Sequence, residues 1–300
     1  MPPAKRLEVA IGDKTLSLSN LDKVLYPRAG FTKGQVIDYY TRIAPVLLPH
    51  LRDRALTLKR YPNGVEDKFF YEKRCPSHAP SWVQTADVWS GRNEGNITFC
   101  LCQDLPTLVW LGNLADLELH TPLARVPETG HPTIVAFDLD PGPPATIVEC
   151  ARVALELRRA FEFWDLKAFP KTSGSKGMQV YLPLNTPATY EETRAFSSAL
   201  AQLLERRDPA LVVSEMTKAK RGGKVFVDWS QNASFKTTVN VYSLRAMERP
   251  TVSTPLTWDE VSQIADGEAM AFTSDEVLTR VAALGDLFAD VQTLEQELPR

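Results

Sequence analysis

The sequence predicts an α/β protein in which two mixed or antiparallel sheets form a cleft, with acids on its floor and helices outside. Three observations carry that expectation. Short runs rich in apolar, β-branched or aromatic residues at 134–137, 178–182 and 224–230 have the length and composition of strands. Segments 33–46, 145–164 and 190–206 carry apolar residues at the spacing of amphipathic helices. The two kinds alternate along the chain, as they do where helices cover a sheet. With 300 residues, 44% hydrophobic and 24% charged, the chain can build a sizeable core as one large domain. A net charge of −3 gives no global signature of nucleic-acid binding, so any such surface must be a local patch. No run of 18 apolar residues exists and residues 1–10 hold no secretory h-region, so no membrane role and a cytoplasmic location are expected.

Taken in order, residues 5–19 alternate apolar and polar positions around Gly12 and Asp13, the pattern of a hairpin. Ser19 and Asn20 offer a cap for a short turn carrying Lys23, and Tyr26-Pro27 ends it. Thr32 is an N-cap for a helix from Lys33 to about Val46. Lys23 and Lys33 could converge on one phosphate, or be two solvated lysines. Residues 56–61 read as a strand closed by Pro62-Asn63-Gly64. Residues 68–74 interleave aromatics with bases, as nucleobase-stacking surfaces do and as ordinary core strands also do. Strands are expected from Val83 to Phe99 around a polar loop at 90–96, then a helix over 105–119 followed by a structural His120. Cys100 and Cys102 sit in an apolar run and read as small buried hydrophobes. Cys75 and His78 have metal-like spacing, but Cys100-x-Cys102 lacks the separation a zinc site uses, so structural zinc is not expected.

The most informative stretch is 133–142, an apolar strand running into Asp138-Leu139-Asp140-Pro141-Gly142. Side chains two apart on a strand share a face, so the two carboxylates repel unless a cation sits between them. Hard cations such as Mg²⁺ and Mn²⁺ take oxygen ligands of this kind. The plain alternative is a surface turn, which Asp-Pro-Gly also makes. Asp228, near the end of a strand expected over 224–230, supplies a third acid, and two metals about 3.5–4 Å apart need several such oxygens. The loop 173–177, Ser-Gly-Ser-Lys-Gly, has the makings of a phosphate cradle: glycines free the amides, hydroxyls donate, and Lys176 adds charge. A strand follows it, so it is not a Walker loop; a plain hairpin turn would look similar. Lys218, Lys220, Arg221, Lys224, Lys236, Arg245 and Arg249 cluster around the third acid. From Trp258 the chain reads as helical and acidic, ten Asp or Glu against two Arg, a solvated packing layer.

Together these motifs resemble a known family: Asp-Lys-Val-Leu-Tyr-Pro (22–27), Lys-Arg-Tyr-Pro-Asn-Gly (59–64), Glu-Leu-His (118–120), Phe-Asp-Leu-Asp-Pro-Gly (137–142), Thr-Ser-Gly-Ser-Lys-Gly (172–177), Val-Phe-Val-Asp-Trp-Ser-Gln-Asn (225–232) and Tyr-Ser-Leu-Arg (242–245). From about residue 19 onward the chain is similar to the polymerase domain of bacterial ligase D, in the archaeo-eukaryotic primase superfamily. The resemblance implies a single primase-polymerase catalytic domain over residues 1–300, with the hairpin and helix of about 1–60 packed on it. It implies a template-dependent nucleotidyltransferase, a DNA or RNA polymerase or a primase, that fills short gaps or extends DNA ends in non-homologous end joining, favouring ribonucleotides. By position, Asp138, Asp140 and Asp228 would be catalytic and hold two divalent cations, Mn²⁺ or Mg²⁺. Ser173, Ser175, Lys176, Lys236 and Arg245 would hold the triphosphate with His120 nearby, and Lys59, Phe70 and Tyr71 would meet the nucleotide or template base. Lys23 and Lys33 would bind a DNA 5′-phosphate. Implied partners are gapped or overhanging DNA, NTP or dNTP, the end-binding protein Ku and a separate ligase; the protein would be monomeric and nucleoid-associated. Two departures stand out. The family usually has His where this chain has Gln179, and the chain ends at Arg300 without ligase or phosphoesterase modules, as a stand-alone polymerase or a domain of a longer chain would. Gln179 admits an alternative, a weakly active or non-catalytic protein that bridges DNA ends. A phosphatase or sugar transferase using Asp-x-Asp is disfavoured by the Pro-Gly-Pro-Pro that follows Asp140.

Overall fold

The computed structural model describes residues 6–91 and 93–299. Residue 5 of the expected hairpin and Arg92 of the expected 90–96 loop lie outside the described residues, as do the rest of residues 1–4 and Arg300. The chain opens with the expected antiparallel hairpin, β1 (Arg6–Ile11) and β2 (Lys14–Ser19). The expected turn carrying Lys23 forms, closed by the Lys23 amide on the Asn20 carbonyl at 3.0 Å, and a small ribbon of β3 (Val24–Tyr26) and β4 (Phe31–Thr32) follows it. Helix α1 (Lys33–Leu51) starts at Thr32, whose side chain accepts from the Gln35 amide while Gln35 closes back on Thr32. It runs past the expected end through Pro45 and Pro49. An internal proline costs a helix about 3 kcal/mol; here the buried stripe of Ile43, Ala44, Leu47 and Leu51 outweighs it.

Next come β5 (Thr57–Arg60), β6 (Phe70–Glu72), β7 (Thr85–Ser90), β8 (Gly95–Cys100) and α2 (Leu105–Asn113). The expected helix over 105–119 therefore ends six residues early. Ala115 takes a left-handed φ of 58° and the chain turns into β9 (Asp116–Thr121), so His120 belongs to a strand rather than to a helix end. Leu117 and Leu119 alternate with Glu118 and His120 at a period of two. Leu108, Leu111, Ala115 and Leu119 also fit a helical period, and that overlap hid the strand. Cys100 is not a free hydrophobe: it is paired with Cys75 in a disulfide, while Cys102 and Cys150 are buried thiols.

The remaining elements are β10 (Ile134–Pro141), α3 (Ile147–Phe163), β11 (Phe169–Thr172), β12 (Met178–Pro183), α4 (Tyr190–Arg207), β13 (Val212–Val213), β14 (Val225–Asp228), β15 (Thr238–Val239), α5 (Trp258–Ala265) and α6 (Ser274–Leu284). Capping boxes at Thr146, Thr189 and Thr257 start α3, α4 and α5. Two larger sheets result. One runs β11-β12-β10-β14-β13 and is mixed, because β13 and β14 are parallel; the other runs β15-β9-β5-β6 and is antiparallel throughout. Strand β10 is buried on both faces over its first half. Val135, Phe137 and Leu139 pack with α3, α4 and α5, and Ile134 and Ala136 pack into the core beneath α1 and α2. The second of these faces is the one that Asp138 and Asp140 continue. Among the described residues no helix is long and apolar enough to cross a membrane.

Candidate active site

The acids meet because of strand register. Asp138 on β10 lies directly opposite Asp228 on β14, and Asp140 follows two residues along β10. Opposed residues in an antiparallel pair share a face, so all three carboxylates stand on one side of the sheet. Burial and the neighbouring charge of Asp140 push the Asp138 carboxyl up to about 7, with Asp228 adding to the repulsion and a Gln179 hydrogen bond opposing it. Asp140 is raised for the same reasons, by burial and by Asp228, against the pull of Arg221 and Arg245. Burial and mutual repulsion thus both penalise the charged acids, and every donor they offer is a carboxylate oxygen. A hard divalent cation fits that donor set. The carboxylates are not gathered as a closed cluster: among the described residues no three His, Cys, Asp or Glu side chains come together as metal ligands do. Asp228 is turned aside, accepting from the Ser230 amide at 3.0 Å and hydroxyl at 2.5 Å, and from Gln231 Nε2 at 2.9 Å. A cation there would share those oxygens.

Two glycines bring basic loops to the acids. A side chain at Gly177 would strike the Leu139 carbonyl, between the two β10 acids, so only glycine lets the 173–177 loop lie there. A side chain at Gly142 would strike the Arg221 carbonyl, which sets the 218–224 loop against the end of β10. Within the first loop, Ser173 Oγ accepts from the amides of Ser175 (3.3 Å) and Gly177 (3.2 Å). Gly174 takes a φ of +69°, and Lys176 is exposed. Arg245 donates to the Ser173 carbonyl and Thr251 to that of Gly174, which ties the loop to the 245–251 segment. Lys236 donates to Ser230 Oγ at 2.9 Å and so reaches Asp228 through one hydroxyl.

The second sheet presents a different surface. Lys59 and Glu118 are paired in register on β5 and β9, with Lys59 Nζ 3.0 Å from Glu118 Oε2. His120 Nε2 is also 3.0 Å and Arg245 Nε 3.5 Å from that oxygen, while Tyr61 OH (3.3 Å) and the Ala246 amide (3.0 Å) donate to Oε1. Burial alone would raise Glu118, but His120, Arg245 and Lys59 overcome it and hold the carboxyl well below the usual range. His120 is itself lowered by burial, with Glu118 opposing. Over this centre lies an aromatic platform. Lys59 Nζ sits 4.6 Å from the Phe69 centroid and 5.7 Å from that of Tyr71, and Tyr71 meets His120 edge-on at 5.8 Å. Tyr71, opposite Lys59, thus stands with the predicted residues. Phe70, opposite Arg60, lies on the other side of β6 with its ring 5.1 Å from that guanidinium.

Lys23 and Lys33 come together where the β3–β4 ribbon meets the start of α1: the Lys33 amide donates to the Lys23 carbonyl at 2.8 Å. Lys23 Nζ reaches Asn63 at 3.0 Å, and Lys33 Nζ reaches the Asn113 carbonyl at 2.8 Å. Burial, with the charge of Lys23, lowers the Lys33 ammonium to about 8.

Sequence reasoning singled out neither Glu118 nor Phe69 as a site residue. The period-two alternation of β9 and the run Lys-Phe-Phe-Tyr were the available signals. Lys171, wholly buried behind Asp138, and Gln231 gave none.

A family model described as the LigD primase-polymerase domain matches residues 32–288. The chain is 43% identical over 274 residues to the multifunctional non-homologous end joining protein LigD of Mycolicibacterium smegmatis, covering 91% of this chain and 35% of that protein. It is 34% identical over 285 residues to the bifunctional non-homologous end joining protein LigD of Bacillus subtilis, covering 95% of this chain and 45% of that one. The chain therefore spans less than half the length of these relatives. Its structure matches the polymerase domain of Mycobacterium tuberculosis ligase D, solved in complex with DNA, with a TM-score of 0.87 and 41% identity, over 94% of this chain and 99% of that one.

Proposed function

The chain belongs to the LigD primase-polymerase domain family, and from that premise we propose that it is a template-dependent nucleotidyltransferase that fills gaps or extends DNA ends during break repair. The observation that carries the reading is the register of Asp138 against Asp228, with Asp140 beside them and a serine-glycine loop packed on the Leu139 carbonyl. Asp138, Asp140 and Asp228 would hold divalent cations, Mn²⁺ or Mg²⁺, which when bound supply positive charge to the attacking hydroxyl and the triphosphate. The protein's own part is positional and electrostatic. Ser173, Ser175 and Lys176, with Lys236, which reaches Ser230 beside Asp228, and Arg245, which ties down the 173–177 loop, would supply donors for phosphate oxygens and stabilise charge on the leaving pyrophosphate. Tyr71 and Phe69 offer ring faces to a base, and His120 and Lys59 lie beneath them, anchored by Glu118. Lys23 and Lys33 would take the 5′-phosphate across a gap.

The test is extension of a gapped duplex, with and without a 5′-phosphate, with rNTP against dNTP and with Mg²⁺ against Mn²⁺. Extension that needs a divalent cation and improves with the 5′-phosphate supports the reading. Binding that prefers the 5′-phosphate without any extension would instead identify a protein that only holds DNA ends.

A further inference from the structure

A row of side chains crosses four strands on the face that carries the acids. Lys171 on β11 pairs with Gln179 on β12, Gln179 with Asp138 on β10, and Asp138 with Asp228 on β14. Hydrogen bonds run along the first part of the row: Lys171 Nζ donates to Gln179 Oε1 at 2.5 Å, and Gln179 Nε2 donates to Asp138 Oδ1 at 2.9 Å. Lys171 is 0% exposed. Its other partners are the Val239 carbonyl at 3.2 Å and Ser253 Oγ at 2.7 Å, and the Ser253 proton is committed to the Thr172 carbonyl at 3.1 Å. All three neighbours of Nζ are therefore acceptors, which is the full complement of an ammonium.

That arrangement dictates how the amide sits. An ammonium has donors only and a carboxylate acceptors only. An amide between them must turn its oxygen to Lys171 and its NH₂ to Asp138. The flipped amide would set NH₂ against ammonium and carbonyl against carboxylate, two repulsive contacts in place of two hydrogen bonds. We propose that Lys171 and Gln179 are positioning residues for Asp138: the buried ammonium fixes the sense of the amide, and the amide fixes the rotation of the carboxylate toward a bound cation. This role rests on the polymerase reading, because it presumes that Asp138 holds the metal. The side chain at 179 is then tolerated for its donor and acceptor polarity and not for any charge of its own. A neutral imidazole, with one donor and one acceptor nitrogen, has the same polarity.

The experiment titrates Mn²⁺ into the full chain, following the free-ion spin-resonance signal, and measures kcat and nucleotide KM on the gapped duplex. Lys171→Met and Gln179→Met should weaken Mn²⁺ about 10- to 100-fold and lower kcat, as loss of a partner behind a metal ligand does, while DNA affinity stays unchanged. Gln179→His should keep the wild-type Mn²⁺ affinity. If a methionine variant folds poorly, Gln179→His decides: wild-type affinity supports the role and lost affinity overturns it. Methionine variants that melt earlier yet bind Mn²⁺ as the wild type does would reduce the row to packing and overturn the proposal. Wild-type protein that neither binds Mn²⁺ nor extends would instead overturn the polymerase reading, and the positioning role with it.

Discussion

The two larger sheets each carry a carboxylate centre, and the two are wired in opposite ways. On β9, Glu118 is 2% exposed and ringed by Lys59, His120 and Arg245, so its charge is satisfied from within and its acidity is strengthened. On β10, Asp138 and Asp140 face Asp228 and one another, and both are pushed toward holding protons. Desolvation acts in the same direction at both centres; the sign of the nearest charges decides the outcome. A carboxylate already paired is a fastening, and one left short of positive charge is a receptor for it. Arg245 belongs to both, since it contacts Glu118 and donates to the Ser173 carbonyl of the loop beside the acids.

The largest expected effect breaks the receptor. Replacing Asp138 and Asp140 together with Ala should abolish primer extension and leave the circular dichroism spectrum intact, because those side chains leave the core at that point of β10. Surviving extension would remove the distinction between the centres. Breaking the fastening should act on the fold instead. Glu118→Gln strands three bases around a neutral amide and should cost about 3 kcal/mol in denaturant unfolding, with a raised nucleotide KM as Lys59 and Arg245 lose their anchor. An unchanged unfolding midpoint would mean that Glu118 is not the hub its contacts suggest.

Acidity separates the two centres more finely. Asp138 has its folded-state pKa raised from 3.8 to about 7, so the folded protein binds the extra proton. Without metal, its contribution to stability is complete below pH 4 and fades as pH rises through about 7, at no more than about 1.4 kcal/mol per unit. Glu118, lowered, has the opposite slope: its contribution is present above the ordinary carboxylate range and fades on acidification. Chemical denaturation between pH 5 and 7, below the range where the lowered Lys171 ammonium adds an opposite slope, should therefore show a fall that Asp138→Asn removes and saturating Mn²⁺ flattens. A flat profile for the wild type would contradict it. The smallest effect concerns the platform. Tyr71→Ala should weaken nucleotide or template binding by about 1–3 kcal/mol, the range for one stacked base. Phe70→Ala, on the far side of β6, should do less. Equal effects would show that β6 turns when it binds.

Much of this was legible in order along the chain. The N-terminal hairpin, α1, α3, α4 and the strands carrying Asp138 and Asp228 follow from periodicity and capping residues, which act within a few neighbours. The acids and the serine-glycine loop were legible because their chemistry is unusual at any position. The misreadings share a cause: a choice that depended on distant partners. The segment 114–119 satisfies both periods, and pairing with β5 and β15 makes it a strand. Cys100 looked like any buried apolar residue until Cys75 was folded against it.

By itself the sequence determined most of the helices and strands, 114–119 excepted, and which short motifs hold charge, hydroxyl and glycine, because those properties are set by local sterics and residue type. Only the tertiary structure decided that Asp228 stands opposite Asp138, that Lys171 stands behind Gln179, and that Glu118 gathers Lys59, His120 and Arg245. Register between strands far apart in the chain is chosen by how two cores pack, and a slip of one residue would turn every one of these side chains to the other face.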